Sequence, residues 1–149
     1  MKKLIEILSA IGGAILSFIC GMPPIIWILI AVMSLDYVTG ILCGLMGVSP
    51  KTDTGGLSST TAFKGLLKKV LILCVVGLAA LIDNAIATSA GIEMAAVTGA
   101  CALWFVASEG MSILENAAAM GIPIPKILLQ ALEIMRSKGD AKPPDETHE

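Results

Sequence analysis

A chain of 149 residues that is 56% hydrophobic and only 15% charged is not an ordinary soluble domain. It is too short to carry a membrane bundle and a separate enzyme domain. A net charge of −2 supplies no basic surface for nucleic acid.

Taken in chain order, the first apolar helix spans about residues 4–20, after Lys2 and Lys3 and with Glu6 near its start. It resembles a signal peptide, but no small-x-small cleavage site precedes the next apolar run. Ile19 before Cys20 is too bulky for lipoprotein processing, so the segment reads as retained. Gly21-Met22-Pro23-Pro24 ends it, because proline cannot continue a helix and restricts the residue before it.

The second helix spans about 23–48 and carries a single charge, Asp36. Residues 49–69 change character. Lys51, Asp53 and a Gly55-Gly56 turn precede Ser58 and Ser59, either of which suits a helix N-cap. Phe63, Leu66 and Leu67 oppose Lys64 and Lys68 at helical spacing. This predicts a short amphipathic surface helix over 58–69, with Lys64, Lys68 and Lys69 at the membrane surface.

The third span covers about 70–90 with one charge, Asp83, and residues 91–93 form a tight connection. The fourth covers about 94–115, with Glu109 and Glu115 towards its end. Pro123 and Pro125 open a last helix over 123–136. Its apolar positions Ile124, Ile127, Leu128, Ala131 and Met135 oppose Lys126, Gln130 and Glu133, which predicts a helix lying on the membrane. Residues 137–149 form a polar tail of disordered composition. The fold class is therefore all-α: one polytopic membrane domain over 1–136, a bundle of 3–4 transmembrane helices with amphipathic surface helices. A bilayer core needs ~20 apolar residues per helix, which the second and third segments supply.

All ten basic residues fall into three groups: Lys2 and Lys3; Lys51, Lys64, Lys68 and Lys69; Lys126, Arg136, Lys138 and Lys142. Four spans with both termini and the central loop inside put every one in the cytoplasm, as the positive-inside rule prefers. Three spans would place Lys2 and Lys3 outside.

A carboxylate at the bilayer centre costs roughly 2.5–3.5 kcal/mol, so the acidic residues need partners or water. Asp36, Thr39, Gly40, Cys43, Gly44 and Gly47 share one narrow helical face, and Gly40-xxx-Gly44 permits close helix approach. That face packs within the chain or between subunits. Asp83 and Asn84 lie in the outer half of the third span, where snorkelling is an alternative. Glu109, Ser112 and Asn116 make a stripe near the inner end of the fourth, beside Glu115. With no basic residue inside a span, these groups would be protonated, hydrogen-bonded or wet. A water-filled path lined by them is the functional reading, and all ten of Asp36, Thr39, Gly40, Gly44, Gly47, Asp83, Asn84, Glu109, Ser112 and Asn116 are pore or oligomerisation candidates.

Cys20, Cys43, Cys74 and Cys101 stand singly in apolar stretches, as packing residues rather than metal ligands. His148 lies in the tail. No nucleophile elbow, zinc-protease, phosphate-loop or dinucleotide motif occurs. The expectation is no enzyme activity, no cofactor and no metal.

Four pieces in fixed order carry a family resemblance: MSLDYVTGILCG (33–44), LSSTTAFKGLLKKVLIL (57–73), the Asp83-Asn84 pair, and ENAAAMGIPIPKILLQAL (115–132). Together they resemble the toxin-secretion and phage-lysis holins, which include the clostridial toxin-secretion holin and phage holins of Gram-positive hosts. The matched positions are Asp36, Thr39, Gly40, Ser58, Ser59, Lys64, Gly65, Lys68, Asp83, Glu115, Asn116, Gly121, Pro123 and Pro125. The resemblance implies a phage or prophage protein of the bacterial cytoplasmic membrane that homo-oligomerises at a set time. Its lesions would depolarise the membrane and release endolysin, or toxin, without necessary direct contact. An antiholin is a further implied partner. Members are often described with three spans, so 4–20 departs from the pattern. An internal start at Met22 would give a shorter form, the two acting as inhibitor and effector. Two other readings share the composition: a small proton-coupled multidrug-type transporter, with Tyr37 beside the membrane carboxylate Asp36, and a non-permeating antiholin.

Overall fold

The computed structural model describes residues 23–91 and 96–139, with positions 2, 3, 6, 7 and 9 near the N-terminus. The helix expected over 4–20, most of the 91–93 connection and the tail beyond Gly139 lie outside the described residues. Four helices are described: α1 (Pro24–Leu45), α2 (Ser59–Ala90), α3 (Ala96–Ala119) and α4 (Lys126–Gly139). Among the described residues no strand occurs, and α1, α2 and α3 are long and apolar enough to cross a membrane.

Local chemistry fixes the helix ends. Pro24 occupies the first turn of α1, where its missing N–H costs nothing. At the other end Gly47 turns left-handed with φ 72°. Val48 N–H then donates to Cys43 C=O at 3.0 Å and Gly47 N–H to Gly44 C=O at 3.3 Å, a double closure that satisfies orphan carbonyls. Gly47 is thus past the end of α1 rather than on its packing face, which corrects the expected stripe. Ser58 caps α2, accepting from Thr61 N–H at 3.4 Å. Gly121, with φ 81°, ends α3 with the same pair of bonds, Ile122 N–H to Ala117 C=O and Gly121 N–H to Ala118 C=O.

The amphipathic segment expected over 58–69 and the span expected over 70–90 are one unbroken helix of 32 residues. No proline occurs in α2, and the helix continues through its glycines at 65 and 77.

α3 is the hub, with α1, α2 and α4 all packed against it. Each spanning helix buries one stripe. On α1 it is Ile26, Leu29, Met33, Asp36 and Cys43. On α2 it is Lys69, Ile72, Val76, Ala79 and Asp83. On α3 it is Thr98, Ala102, Val106, Glu109 and Asn116. Of these, Ile26, Leu29, Met33, Ile72, Val76, Ala102 and Val106 form one core. Large apolar side chains such as Leu35, Leu42, Leu71, Leu78 and Leu81 point outward, as a bundle solvated by lipid requires.

α4 does not lie apart on a surface. It runs antiparallel along α3: a Cβ on Gly110 would meet Leu132 Cδ2 at 2.9 Å, and a Cβ on Gly139 would meet Trp104 Cβ at 2.6 Å. Leu129, Leu132, Met135 and Gly139 are half-buried, whereas Ile127 of the expected apolar stripe is 69% exposed. The small residues at 110 and 139 allow this approach, a signal that an apolar-periodicity reading of α4 alone does not contain.

Candidate polar site in the bundle

The stripes of α1, α2 and α3 converge on a charged cluster. Lys69 Nζ donates to Asp36 Oδ2 at 2.7 Å and also to Glu109 Oε2. Lys68 Nζ lies 3.1 Å from the other Glu109 oxygen, Oε1. Lys51, from the loop between α1 and α2, sits 3.6 Å from Asp36 Oδ1 and donates to Ser112 Oγ at 3.0 Å. Lys69 is only 8% exposed and Glu109 fully buried.

This overturns the expectation that no basic residue reaches inside a span. It also corrects Lys69, which is an interior residue rather than a surface one. The cause is the continuity of α2: the helix carries Lys69 on the same buried face as Ile72, Val76 and Asp83. Three lysines, one from the loop and two from α2, reach the carboxylates, so Asp36 and Glu109 are paired rather than stranded. Removing one partner of such a pair costs roughly 3–5 kcal/mol, because the remaining charge is left buried.

Hydrogen bonds extend the cluster towards the ends of α1 and α3. Asn116 Nδ2 donates to Asp36 Oδ1 at 3.3 Å and to Thr39 Oγ1 at 3.0 Å. Thr39 Oγ1 donates back to Asp36 C=O at 3.0 Å, and Cys43 Sγ donates to Asn116 C=O at 3.1 Å. Asn116 is fully buried, and its Oδ1 has no partner among the described residues. Gly40 gives Asn116 room: its Cβ position lies 3.8 Å from Nδ2. Gly44 faces the loop, where a Cβ would meet Leu57 Cα and Cδ1 at 3.0 Å. The Gly40-xxx-Gly44 face is therefore occupied within the chain.

The other candidates separate. Asp83, on α2, accepts from the backbone N–H groups of Thr98 at 2.8 Å and Val97 at 3.2 Å. It satisfies amides in the first described turn of α3, where a negative charge is favoured. Asn84, next to it, is exposed. Glu115, Lys64 and Lys68 are exposed around an open cleft beside the cluster. Trp104 stacks edge-on to Phe105 at 5.1 Å and lies 5.6 Å beneath the Arg136 guanidinium, tying α4 to α3. Among the described residues no group of acidic, histidine or cysteine side chains could hold a metal ion.

Sequence reasoning missed Lys51 and the burial of Lys69. The signal for Lys69 was present: the Asp83 face, followed back at helical spacing through Ala79, Val76 and Ile72, ends on it. No comparable signal marks Lys51, which acts from a loop.

Comparison with known proteins gives a consistent picture. The model of the bacteriophage holin family matches residues 13–137. An uncharacterised protein of Halalkalibacterium halodurans is 35% identical over 142 residues, 94% of this chain and 98% of that one. An uncharacterised protein of Clostridium perfringens is 34% identical over 119 residues, 80% of this chain and 79% of its own. A probable holin of Bacillus phage phi105 is 32% identical over 110 residues, 74% of this chain and 78% of the phage protein. No solved structure matches.

Proposed function

The chain belongs to the bacteriophage holin family, and from that premise we propose that it self-associates in the bacterial cytoplasmic membrane into lesions that depolarise it and release an endolysin. It is an integral membrane protein with three helices able to span. The observation that carries the mechanism is the buried cluster of Asp36, Lys69 and Glu109, one residue from each spanning helix.

In the single chain Lys51, Lys68 and Lys69 together offset the charges of Asp36 and Glu109, while large apolar side chains such as Leu35, Leu42, Leu71 and Leu78 face the lipid. Such a subunit accumulates without permeating the membrane. Lateral association in lipid is driven by packing and interhelical hydrogen bonds. When many copies meet, separation of α1, α2 and α3 would turn the same charges towards water, lining a hole. The energy that holds the closed subunit together becomes the barrier to opening. No enzymatic step is involved, and the endolysin passes through the lesion without a docking site. The cytoplasmic side takes the Lys51, Lys64 and Lys68 end of the bundle, as positive-inside placement favours.

The test is membrane potential in bacteria after induction of this chain alone, followed with a voltage-sensitive dye. Abrupt collapse after a delay, with lysis only when a wall hydrolase is co-expressed, is the expected result. Asp36→Leu should shift the time of collapse or abolish it while the protein still inserts. A steady potential and normal growth would overturn the reading.

A further inference from the structure

An open cleft of about 500 Å³ lies beside the charged cluster, between α2 and α3 and under the end of α4. Its walls carry Lys51, Lys64, Lys68, Lys69 and Arg136 against the carboxylates of Asp36 and Glu115, with Ser108 and Ser112 between them. Counting Glu109, which Lys68 and Lys69 engage, five cations face three carboxylates, an excess of two positive charges. The excess has an address. Lys51, Lys68 and Lys69 are committed to Asp36 or Glu109, whereas, among the described residues, Lys64 has no ion pair and Arg136 is met by the Trp104 ring.

The surroundings say what would neutralise these charges. Lys64, Lys68, Leu71, Val75, Leu78 and Ile82 follow one another at helical spacing on a single exposed face of α2. Two cations at the head of this face give way to an apolar track of about 21 Å from Lys68 to Ile82, longer than one ~15 Å leaflet. A free phosphate would use the head and leave the track idle. A phosphate ester that carries acyl chains fits both. Basic pockets between membrane helices on the cytoplasmic side are suited to anionic headgroups.

We propose that this cleft binds an anionic phospholipid, with its phosphate between Lys64 and Arg136, its glycerol region against Ser108 and Ser112, and an acyl chain along Leu71 to Ile82 of α2. Bound lipid would then bridge α2 to α4, since Lys64 and Arg136 belong to those helices. The site goes beyond lesion formation and is read on the closed chain.

Trp104 provides the readout. It lies four residues from Ser108 along α3, about 6 Å deeper in the bundle, and Trp27 is the other tryptophan of the two in the chain. The full chain carrying Trp27→Phe is reconstituted in phosphatidylcholine vesicles with an entrapped dye, so that any leakage is seen separately. Acyl-brominated phosphatidylglycerol is then titrated against acyl-brominated phosphatidylcholine. The expected result is half-maximal quenching of Trp104 at a several-fold lower mole fraction of the glycerol lipid. Lys64→Gln, an exposed position whose loss does not threaten folding, should weaken that preference roughly five-fold, and adding Arg136→Gln should do so again. The charge-matched pair Lys126→Gln with Lys138→Gln should leave it unchanged. Equal quenching by the two lipids would overturn the proposal, as would equal loss in the charge-matched pair. Reversal of quenching by excess inorganic phosphate at constant ionic strength would assign the cleft to free phosphate and overturn the lipid assignment. Vesicles that leak but show no lipid preference would sink this site and leave the lesion-forming reading standing; the converse would do the opposite.

Discussion

Lys69 and Asp83 lie on the same buried stripe of α2, and each fastens that helix to α3 at one end of the contact between them. Lys69 binds the Glu109 carboxylate within α3, and Asp83 binds the Thr98 and Val97 amides in its first described turn. Fourteen residues separate the two, about 21 Å of helix. Between them the interface is apolar or small, through Ile72, Val76 and Ala79. Opposite charges thus bracket the contact, one pairing with a side chain and the other with a helix end.

Lys69→Met should destabilise the closed subunit most. It leaves Asp36 and Glu109 buried with only Lys51 and Lys68 nearby, at a cost of roughly 3–5 kcal/mol. The expected outcome is earlier depolarisation after induction, at equal membrane levels of protein. Adding Asp36→Asn and Glu109→Gln removes the uncompensated charges and should restore most of the delay. Unchanged timing in the single variant, with no rescue in the triple, would mean that the cluster does not govern opening.

Asp83→Ala should release the first described turn of α3. Hydrogen exchange at the Val97 and Thr98 amides is expected to accelerate, and the Tm of the detergent-solubilised protein to fall. Asp83→Asn should lie between, because its amide oxygen still accepts from one N–H but the negative charge at the helix start is gone.

Two glycines offer opposite outcomes. Gly55 has φ 70°, and a Cβ there would run into the Gly47 carbonyl. Gly55→Ala should therefore disturb the loop that delivers Lys51, by more than ~1 kcal/mol, and make that loop cleavable by protease. Gly65 is helical with open space around its Cβ position, so Gly65→Ala should stabilise α2 by up to about 1 kcal/mol. Thermal unfolding of both in the same detergent checks the pair.

The position of α4 has a direct test. Gly110→Cys with Leu132→Cys, in a chain whose native cysteines are replaced by alanine, should cross-link under mild oxidation, because Leu132 Cδ2 approaches the Gly110 Cβ position at 2.9 Å. The product would migrate faster on a denaturing gel and revert on reduction. A helix lying on the surface away from α3 would give no such product.

The helical bundle was legible because hydropathy and length speak for each span separately, and Pro23, Pro24, Gly91 and Gly121 mark ends by backbone geometry alone. So were most members of the polar cluster, since Asp36, Thr39, Gly40, Glu109, Ser112 and Asn116 stand out in apolar surroundings. Their partners were not. A lysine at the mouth of a span looks like an interfacial residue until the register of its helix against two others is known. Asp83 shows the same limit from the other side: a lone carboxylate in a span reads as a pore or snorkelling group, and only the fold brings backbone amides to it. Gly47 failed for a local reason, because a helical wheel assumes the helix continues, and here it stops at Leu45.

The unequal lengths of the helices carry a mechanical consequence. At 1.5 Å per residue, α1 and α3 measure about 33 and 36 Å, whereas α2 measures about 48 Å. A hydrocarbon layer of ~30 Å suits the first two nearly upright, while a helix as long as α2 must lean or project. Lys69 and Asp83 hold the stretch of α2 between them against α3, so the part left to project is the Ser59–Lys68 end. The thickness of the host membrane therefore bears first on that end of α2, which lies outside the bracket the two anchors form.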